Sequence, residues 1–188
     1  MNRKKYLNEL RKAMKWLGQR DTVFLGQTVE YNGSPMYASL EDVDMSKRIE
    51  MPVAEELQMG MSLGMNLEGV VPISIYPRID FLICATNQLV NHVNHCESMS
   101  KGEFKPGIII RTMVGNKEPL WPGIQHCSDH TEGLKILCPN IRVIRLTDFR
   151  TIFKEYRTAY KYALKGKTTL FVEMPQGGDK LNATWKEK

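Results

Sequence analysis

Apolar runs of strand length alternate with segments of helical period along this sequence. That pattern predicts an α/β domain: a mostly parallel sheet with helices on both faces. Three features carry the expectation. The runs Thr22–Gly26, Val70–Tyr76, Pro106–Arg111, Ile141–Ile144 and Thr168–Glu173 are short and rich in residues that favour strands. The segments between them are long enough for crossover helices, and right-handed crossovers make neighbouring strands parallel. Glycine and proline stand at the junctions, as at Gly18, Pro52 and Gly69.

Taken in order, Tyr6, Leu7, Leu10, Met14 and Leu17 have helical spacing, so Lys4–Leu17 is a helix that Gly18 ends. Thr22–Gly26 is a buried strand. Residues Tyr31–Lys47 contain Asn32-Gly33-Ser34-Pro35 and many polar side chains and read as a surface loop. Arg48–Pro52 is a short extended segment, because proline drives its predecessor out of helix. Val53–Leu67 is a helix with Gly60 and Gly64 on one face, where another backbone can approach closely. Val70–Tyr76 is a buried strand and Asp80–Val93 a helix capped by Asp80. Pro106–Arg111, with its three isoleucines, is a strand, followed by a Gly/Pro-rich loop over Val114–Ile124. Ile141–Ile144 is a strand, Asp148–Lys165 a helix capped by Thr147 or Asp148, and Thr168–Glu173 the last strand.

The chain has 188 residues, expected to form one domain over residues 1–175 with a polar tail over 176–188. Its hydrophobic fraction of 42% and charged fraction of 25% are those of a globular protein. No apolar run approaches the roughly 18 residues that a membrane helix needs. The basic start, Met1–Lys5, leads into a patterned helix in place of an apolar signal core. Lys and Arg number 26 against 21 Asp and Glu, a net charge of +5. The cations are dispersed, without the dense stripe and interleaved aromatics of a nucleic-acid binder. Four cysteines (Cys84, Cys96, Cys127 and Cys138) do not make a disulfide framework and fit a cytoplasmic protein.

In parallel sheets ligands bind beyond the carboxyl ends of the strands, which directs attention to the loops after Pro52, Tyr76 and Arg111. Glu55 opens a helix after a strand end. Glu55 and Glu56 serve the helix dipole equally well, and as neighbours one can face solvent and the other inward. His126 sits in Gln125-His126-Cys127-Ser128-Asp129-His130, either as a surface residue or as a catalyst. His92, His95, Cys96, His126, Cys127 and His130 allow a metal site on paper, but no paired Cys-x-x-Cys anchors it, and no metal site is expected in this chain. His126 and Cys127 are adjacent and lack an acidic orienter, which makes a nucleophile pair weak. There is no Gly-x-Gly-x-x-Gly after a strand and no Walker lysine.

The motifs in order are Met51-Pro52-Val53-Ala54-Glu55, Gly60-Met61-Ser62-Leu63-Gly64, Gly69, Pro72, Asp80-Phe81, Asn87-Gln88, Asn91, Arg111, Gly115 and Gln125-His126. This series resembles the pyrimidine-binding domain of the transketolase-like thiamine diphosphate enzymes. It is most similar to the N-terminal domain of 2-oxo acid dehydrogenase (pyruvate dehydrogenase type) beta subunits, over about residues 20–175.

The resemblance implies roles. Glu55 matches the glutamate that hydrogen-bonds the aminopyrimidine of the cofactor. Sharing its proton with the ring nitrogen favours the imino tautomer, which removes the proton from the thiazolium carbon, and a carboxyl held partly out of water suits that work. Phe81 matches the aromatic stacked on the ring, and Val53 an apolar position whose backbone lies beside it. His126 matches the histidine that handles substrate protons, and Gln88, Asn91 and Arg111 match structural positions. The chain departs from the family at His126-Cys127 for His-Ser, Pro77 for a glutamine of branched-chain members, Asn87-Gln88 for Asp-Gln, and Pro139-Asn140 for Pro-Gly.

The Gly-Asp-Gly…Asn signature that binds magnesium diphosphate is absent from the 188 residues; Gly178-Asp179-Lys180 does not match it. The expectation is therefore half of an active site. A partner chain would hold the diphosphate and Mg2+ in an α2β2 heterotetramer, and the cofactor, thiamine diphosphate, would be shared. The implied reaction is 2-oxo acid decarboxylation and acyl transfer. The alternatives are a split ketol transferase or carboligase acting on a ketose, and a non-catalytic interaction module of the same fold.

Overall fold

A computed structural model describes residues 3–115 and 122–175. Six strands form one sheet: β1 (Thr22–Gly26), β2 (Arg48–Glu50), β3 (Val71–Tyr76), β4 (Ile109–Met113), β5 (Arg142–Leu146) and β6 (Thr169–Glu173). Their order is β2-β1-β3-β4-β6-β5, and every pairing is parallel. Such a sheet needs cover on both faces, and its strands alternate their side chains to meet it. Phe24, Ile73, Ile75, Ile109 and Phe171 point to one side. There they meet the buried stripes of α1 (Arg3–Gly18) and α7 (Phe149–Ala163). Ile108, Ile110, Leu170 and Val172 belong to the opposite core, with Met59 of α3 (Glu55–Leu67). The same core takes Leu82 of α4 (Ile79–Leu82) and Leu134 of α6 (Thr131–Leu137).

The two long helices of the first face follow from their sequences. Tyr6, Leu10, Ala13, Met14 and Leu17 bury one side of α1, and Ile152, Tyr156, Ala159 and Ala163 one side of α7. Trp16 meets Phe153 and Tyr160 edge to face, at ring separations of 6.3 and 5.6 Å. The Asp148 carboxylate accepts the Arg150 N–H and caps α7, one of the two caps expected.

Three local expectations are corrected. Residues 31–47 are not all surface loop. Pro35–Leu40 is a short helix, α2, because Ser34-Pro35 is a helix start as well as a turn signal: Ser34 Oγ accepts the Tyr37 N–H, and Met36 and Leu40 pack into the core. The segment 80–93 is not one helix. It runs from α4 through a 3-10 turn (Ile83–Ala85) into a π-helical stretch (Gln88–Val93), which keeps Leu82, Ala85, Leu89 and Val93 all buried. Arg78, not Asp80, is the N-cap residue of α4, and no side chain caps it. The short helices α5 (Cys96–Met99) and α6 have too few turns for periodicity to reveal. Most of the Gly/Pro-rich loop and the polar tail lie outside the described residues.

A buried ion pair ties the sheet to three helices. Arg111 is 0% exposed, and its Nε and Nη2 donate to the two Glu173 oxygens at 2.8 and 3.2 Å. Arg111 Nη2 also lies 3.1 Å from Ser39 Oγ of α2, and the Tyr156 hydroxyl of α7 donates to Glu173 Oε1 at 2.5 Å. The Tyr6 hydroxyl of α1 donates to the Leu146 carbonyl at 2.9 Å and accepts the Met174 N–H at 3.1 Å. Burial opposes charging Arg111, but the Glu173 carboxylate holds its guanidinium above its ordinary range.

Removing one partner strands the other charge, so Arg111→Met should lose about 3–5 kcal/mol of unfolding free energy in urea titrations. Arg111→Met/Glu173→Leu should recover most of that loss. Burial, with the Glu173 carboxylate adding at Tyr6 and Tyr156, raises the phenols of Tyr6, Tyr76 and Tyr156. The folded state therefore keeps protons that the unfolded chain gives up above about pH 10. Their contribution is full below that pH and should fall by about 1.4 kcal/mol per pH unit per tyrosine above it, as urea midpoints between pH 8 and 11 would read.

Candidate functional site

From β1 the chain passes to β2 on one side and then crosses back to β3 on the other. The loops after β1 and β3 therefore part at the carboxyl end of the sheet, and the crevice that such a switch point makes is the usual ligand position in open α/β folds. Helix α3 enters beside it from β2, and a buried polar seam fixes how α3 is rotated. Gln58 is fully buried, with Nε2 3.0 Å from the Ile75 carbonyl, 3.2 Å from Ser74 Oγ and 3.4 Å from the Leu25 carbonyl. The Ser62 hydroxyl donates to the Gln58 carbonyl at 2.8 Å and lies 3.0 Å from Ser74 Oγ. The Tyr76 hydroxyl lies 3.4 Å from the Glu55 carbonyl.

The seam turns Glu55 inward. Its residue is 8% exposed, whereas the neighbouring Glu56 is exposed and accepts the Asn87 side-chain amide at 2.9 Å. Glu55 Oε1 accepts from Gln27 Nε2, in the loop after β1, at 3.1 Å. Val53, two residues earlier, is 83% exposed.

Phe81 and His126 meet on the β3 side. Phe81, in α4, is half-buried, and its ring contacts that of His126 edge-on at 5.4 Å and 75°. His126 ends a 3-10 turn, and its carbonyl accepts Arg78 Nη1 at 3.1 Å. Gly115 lets these pass: a Cβ there would run into the His126 carbonyl and the Arg78 guanidinium. His126 Nδ1 is buried without a hydrogen-bond partner among the described residues, as is Asp80 Oδ2. Asp80 Oδ1 stands 3.6 Å from His130 Nε2.

The structure thus brings Phe81 and His126 into contact. It sets Glu55 at the same end of the sheet, with Gln27 as its hydrogen-bond partner. Asn91 donates to Asn87 at 2.9 Å on the helix surface, and Arg111 is committed to Glu173. Among the described residues no group of three His, Cys, Asp or Glu side chains is placed to hold a metal ion, and Cys84, Cys96, Cys127 and Cys138 form no disulfide. Burial pushes the Cys138 thiol up to about 11.

Two surface features of α3 bear on partners. Met59 is buried in the core, facing the sheet. The outward side carries Leu57 and Leu67, 54% and 59% exposed, and no atom lies within 4 Å of where a Cβ on Gly60 or Gly64 would sit. Gln27, Gln58 and Arg78 were not singled out by sequence.

No protein-family model matches the chain. Curated relatives do. The pyruvate dehydrogenase E1 component subunit beta of Cyanidium caldarium is 24% identical over 163 residues, covering 84% of this chain and 47% of the relative. The 2-oxoisovalerate dehydrogenase subunit beta of Bacillus subtilis (strain 168) is 24% identical over 185 residues, 86% of this chain and 54% of the relative. The chain thus spans about half the length of these relatives or less. Among solved structures, a split-gene transketolase described as an inactive beta4 tetramer superposes with a TM-score of 0.64 at 18% identity, covering 92% of this chain and 52% of that one. A transketolase from Leishmania mexicana gives 0.65 at 17%, covering 91% and 25%. The domain is transketolase-like in fold. In sequence it is a distant homologue of the beta subunits of 2-oxo acid dehydrogenases. No helix among the described residues is long and apolar enough to cross a membrane.

Gln58→Leu removes the donors that hold α3 to β1 and β3. It should cost about 1–3 kcal/mol in urea unfolding and speed amide exchange across α3 more than across α1.

Proposed function

We propose that this chain is the aminopyrimidine-binding half of a two-chain thiamine diphosphate enzyme acting on a 2-oxo acid. The observation that carries the reading is the buried Glu55 carboxylate at the switch-point crevice. One of its oxygens is held by Gln27, and Phe81 and His126 meet at the same end of the sheet. The donor set fits that half of the cofactor. A carboxyl sheltered from water can share a proton with a ring nitrogen, a half-buried phenyl can cover a ring face, and the partnerless His126 Nδ1 can exchange a proton with a substrate oxygen. When bound, thiamine diphosphate supplies the electron sink for breaking a bond beside a carbonyl. This chain's residues bind, orient and move protons around it: Glu55 at the pyrimidine, Phe81 against its face, His126 toward the substrate, and the Val53 backbone along the ring edge.

The diphosphate and Mg2+ belong to a companion chain on this reading, which the similarity to E1 subunits beta and the likeness to a split-gene transketolase support. The outward face of α3, with Leu57, open Gly60 and Gly64, and Leu67, is the surface this companion covers. Similarity to subunits beta of pyruvate and 2-oxoisovalerate dehydrogenases supports 2-oxo acid chemistry shared with another subunit. Likeness to a split-gene transketolase favours, as second reading, ketol transfer between sugars by a chain pair.

The test is reconstitution with the companion recovered by affinity capture, in the presence of thiamine diphosphate and Mg2+. Wild type should bind the cofactor calorimetrically and decarboxylate a 2-oxo acid in a dye-reduction assay. Glu55→Ala should lose at least about 100-fold in kcat with its melting temperature unchanged. Turnover of a ketose donor alone would select the second reading, and full activity of Glu55→Ala would contradict both.

A further inference from the structure

The loop that follows β1 is built around an internal carboxylate. Gly26 ends the strand at a φ of +156°, where a Cβ would collide with the Ile75 backbone, so the chain can turn away from β3 only through glycine. Thr28 then adopts a φ of +60°, a left-handed conformation that a β-branched residue adopts only under constraint. The constraint is Glu50, at the end of β2. Its carboxylate accepts the backbone N–H groups of Thr28, Val29 and Glu30 at 2.6, 2.8 and 2.9 Å. Three successive amides pointing into one concavity form an anion-binding nest, and here a side chain of the same protein fills it. Between the glycine and the nest lies Gln27, whose amide reaches Glu55.

We infer that Gln27 is a positioning residue for Glu55, and that Glu50 sets the loop that presents it. The inference rests on the reading of Glu55 as the acid that faces the aminopyrimidine. Only the NH2 of Gln27 can donate to a carboxylate, so the contact fixes which way the amide points. With Oε1 occupied by this donor, Oε2 is the oxygen left for the ring nitrogen. A neutral amide also orients the carboxylate without competing for the proton. A second acid at position 27 would share that proton with Glu55 and divert it. Glu55 is thus approached from two sides: the helix seam sets its backbone, and the β1 loop sets the rotation of its carboxylate.

The first test uses the full chain by itself, labelled with 15N. The side-chain amide resonances of Gln27, assigned by their loss in Gln27→Ala, should shift in Glu55→Ala and in Glu50→Gln. Their staying at free-glutamine positions in wild type and in both variants would overturn the inference. The second test uses the reconstituted pair. Gln27→Ala should lower kcat roughly 10- to 100-fold with KM and melting temperature little changed, as loss of an orienting partner does. Gln27→Glu has the same shape but donates only when protonated, so its kcat should be low at pH 8 and recover toward wild type as the pH is lowered. A wild-type pH profile for Gln27→Glu would show that position 27 only fills space, and would overturn the inference. If Glu55→Ala is inactive while both Gln27 variants turn over normally, the inference fails and the reading of Glu55 stands. If Glu55→Ala is fully active, both fail, whatever the resonances show.

Discussion

The rotational setting of α3 against the sheet is the constraint on which the site depends. Helix packing through apolar side chains alone tolerates small rotations, because dispersion and burial have no direction. The Gln58–Ser62–Ser74 seam does have direction. Its Gln58 and hydroxyl donors are out of water and meet specific partners on β1 and β3. Gln58 lies one turn after Glu55, so fixing the one fixes the other. Asn66 does the same at the far end of the helix, accepting the Gly107 N–H at 2.7 Å on the way into β4.

The opposite side of the sheet provides stiffness rather than chemistry. Arg111, Glu173, Tyr156 and Tyr6 are buried and link β4, β5 and β6 with α7 and α1, which resists shear in that half of the sheet. The contrast between the two faces is physical. One face is covered by the long amphipathic helices α1 and α7. The other carries α3, with an exposed apolar side, and polar atoms on Gln58, His126 and Asp80 that are buried without partners among the described residues.

Much of this was legible in the sequence because burial on both faces writes a strong signal. The triple isoleucine of β4 and the Val-Pro-Ile-Ser-Ile-Tyr of β3 read as strands directly. The heptad-like spacing of Tyr6, Leu10, Met14 and Leu17 fixed α1. The short elements were not legible. Pro35–Leu40 has six residues, fewer than two turns, and its Ser-Pro start serves turns and helices alike. The break of the 80–93 segment into α, 3-10 and π pieces goes with the burial of Leu82, Ala85, Leu89 and Val93 together, a tertiary demand that local periodicity does not encode. At the candidate site, Glu55 and His126 drew notice by their residue type and position, and Phe81 by the resemblance alone. Gln27 and Gln58 did not, since a glutamine carries no mark of being buried or of which side chain it will meet. Glu50 acts through backbone amides, which leave no trace in side-chain pattern at all.

The most direct measurement is a crystal structure of the chain bound to its companion with thiamine diphosphate and Mg2+. The expected result is the Glu55 carboxylate at hydrogen-bond distance from a pyrimidine nitrogen, about 2.7–3.0 Å, with Gln27 on its other oxygen and Phe81 over the ring. A cofactor bound wholly within the companion, with Glu55 facing solvent, would contradict the assignment of this crevice.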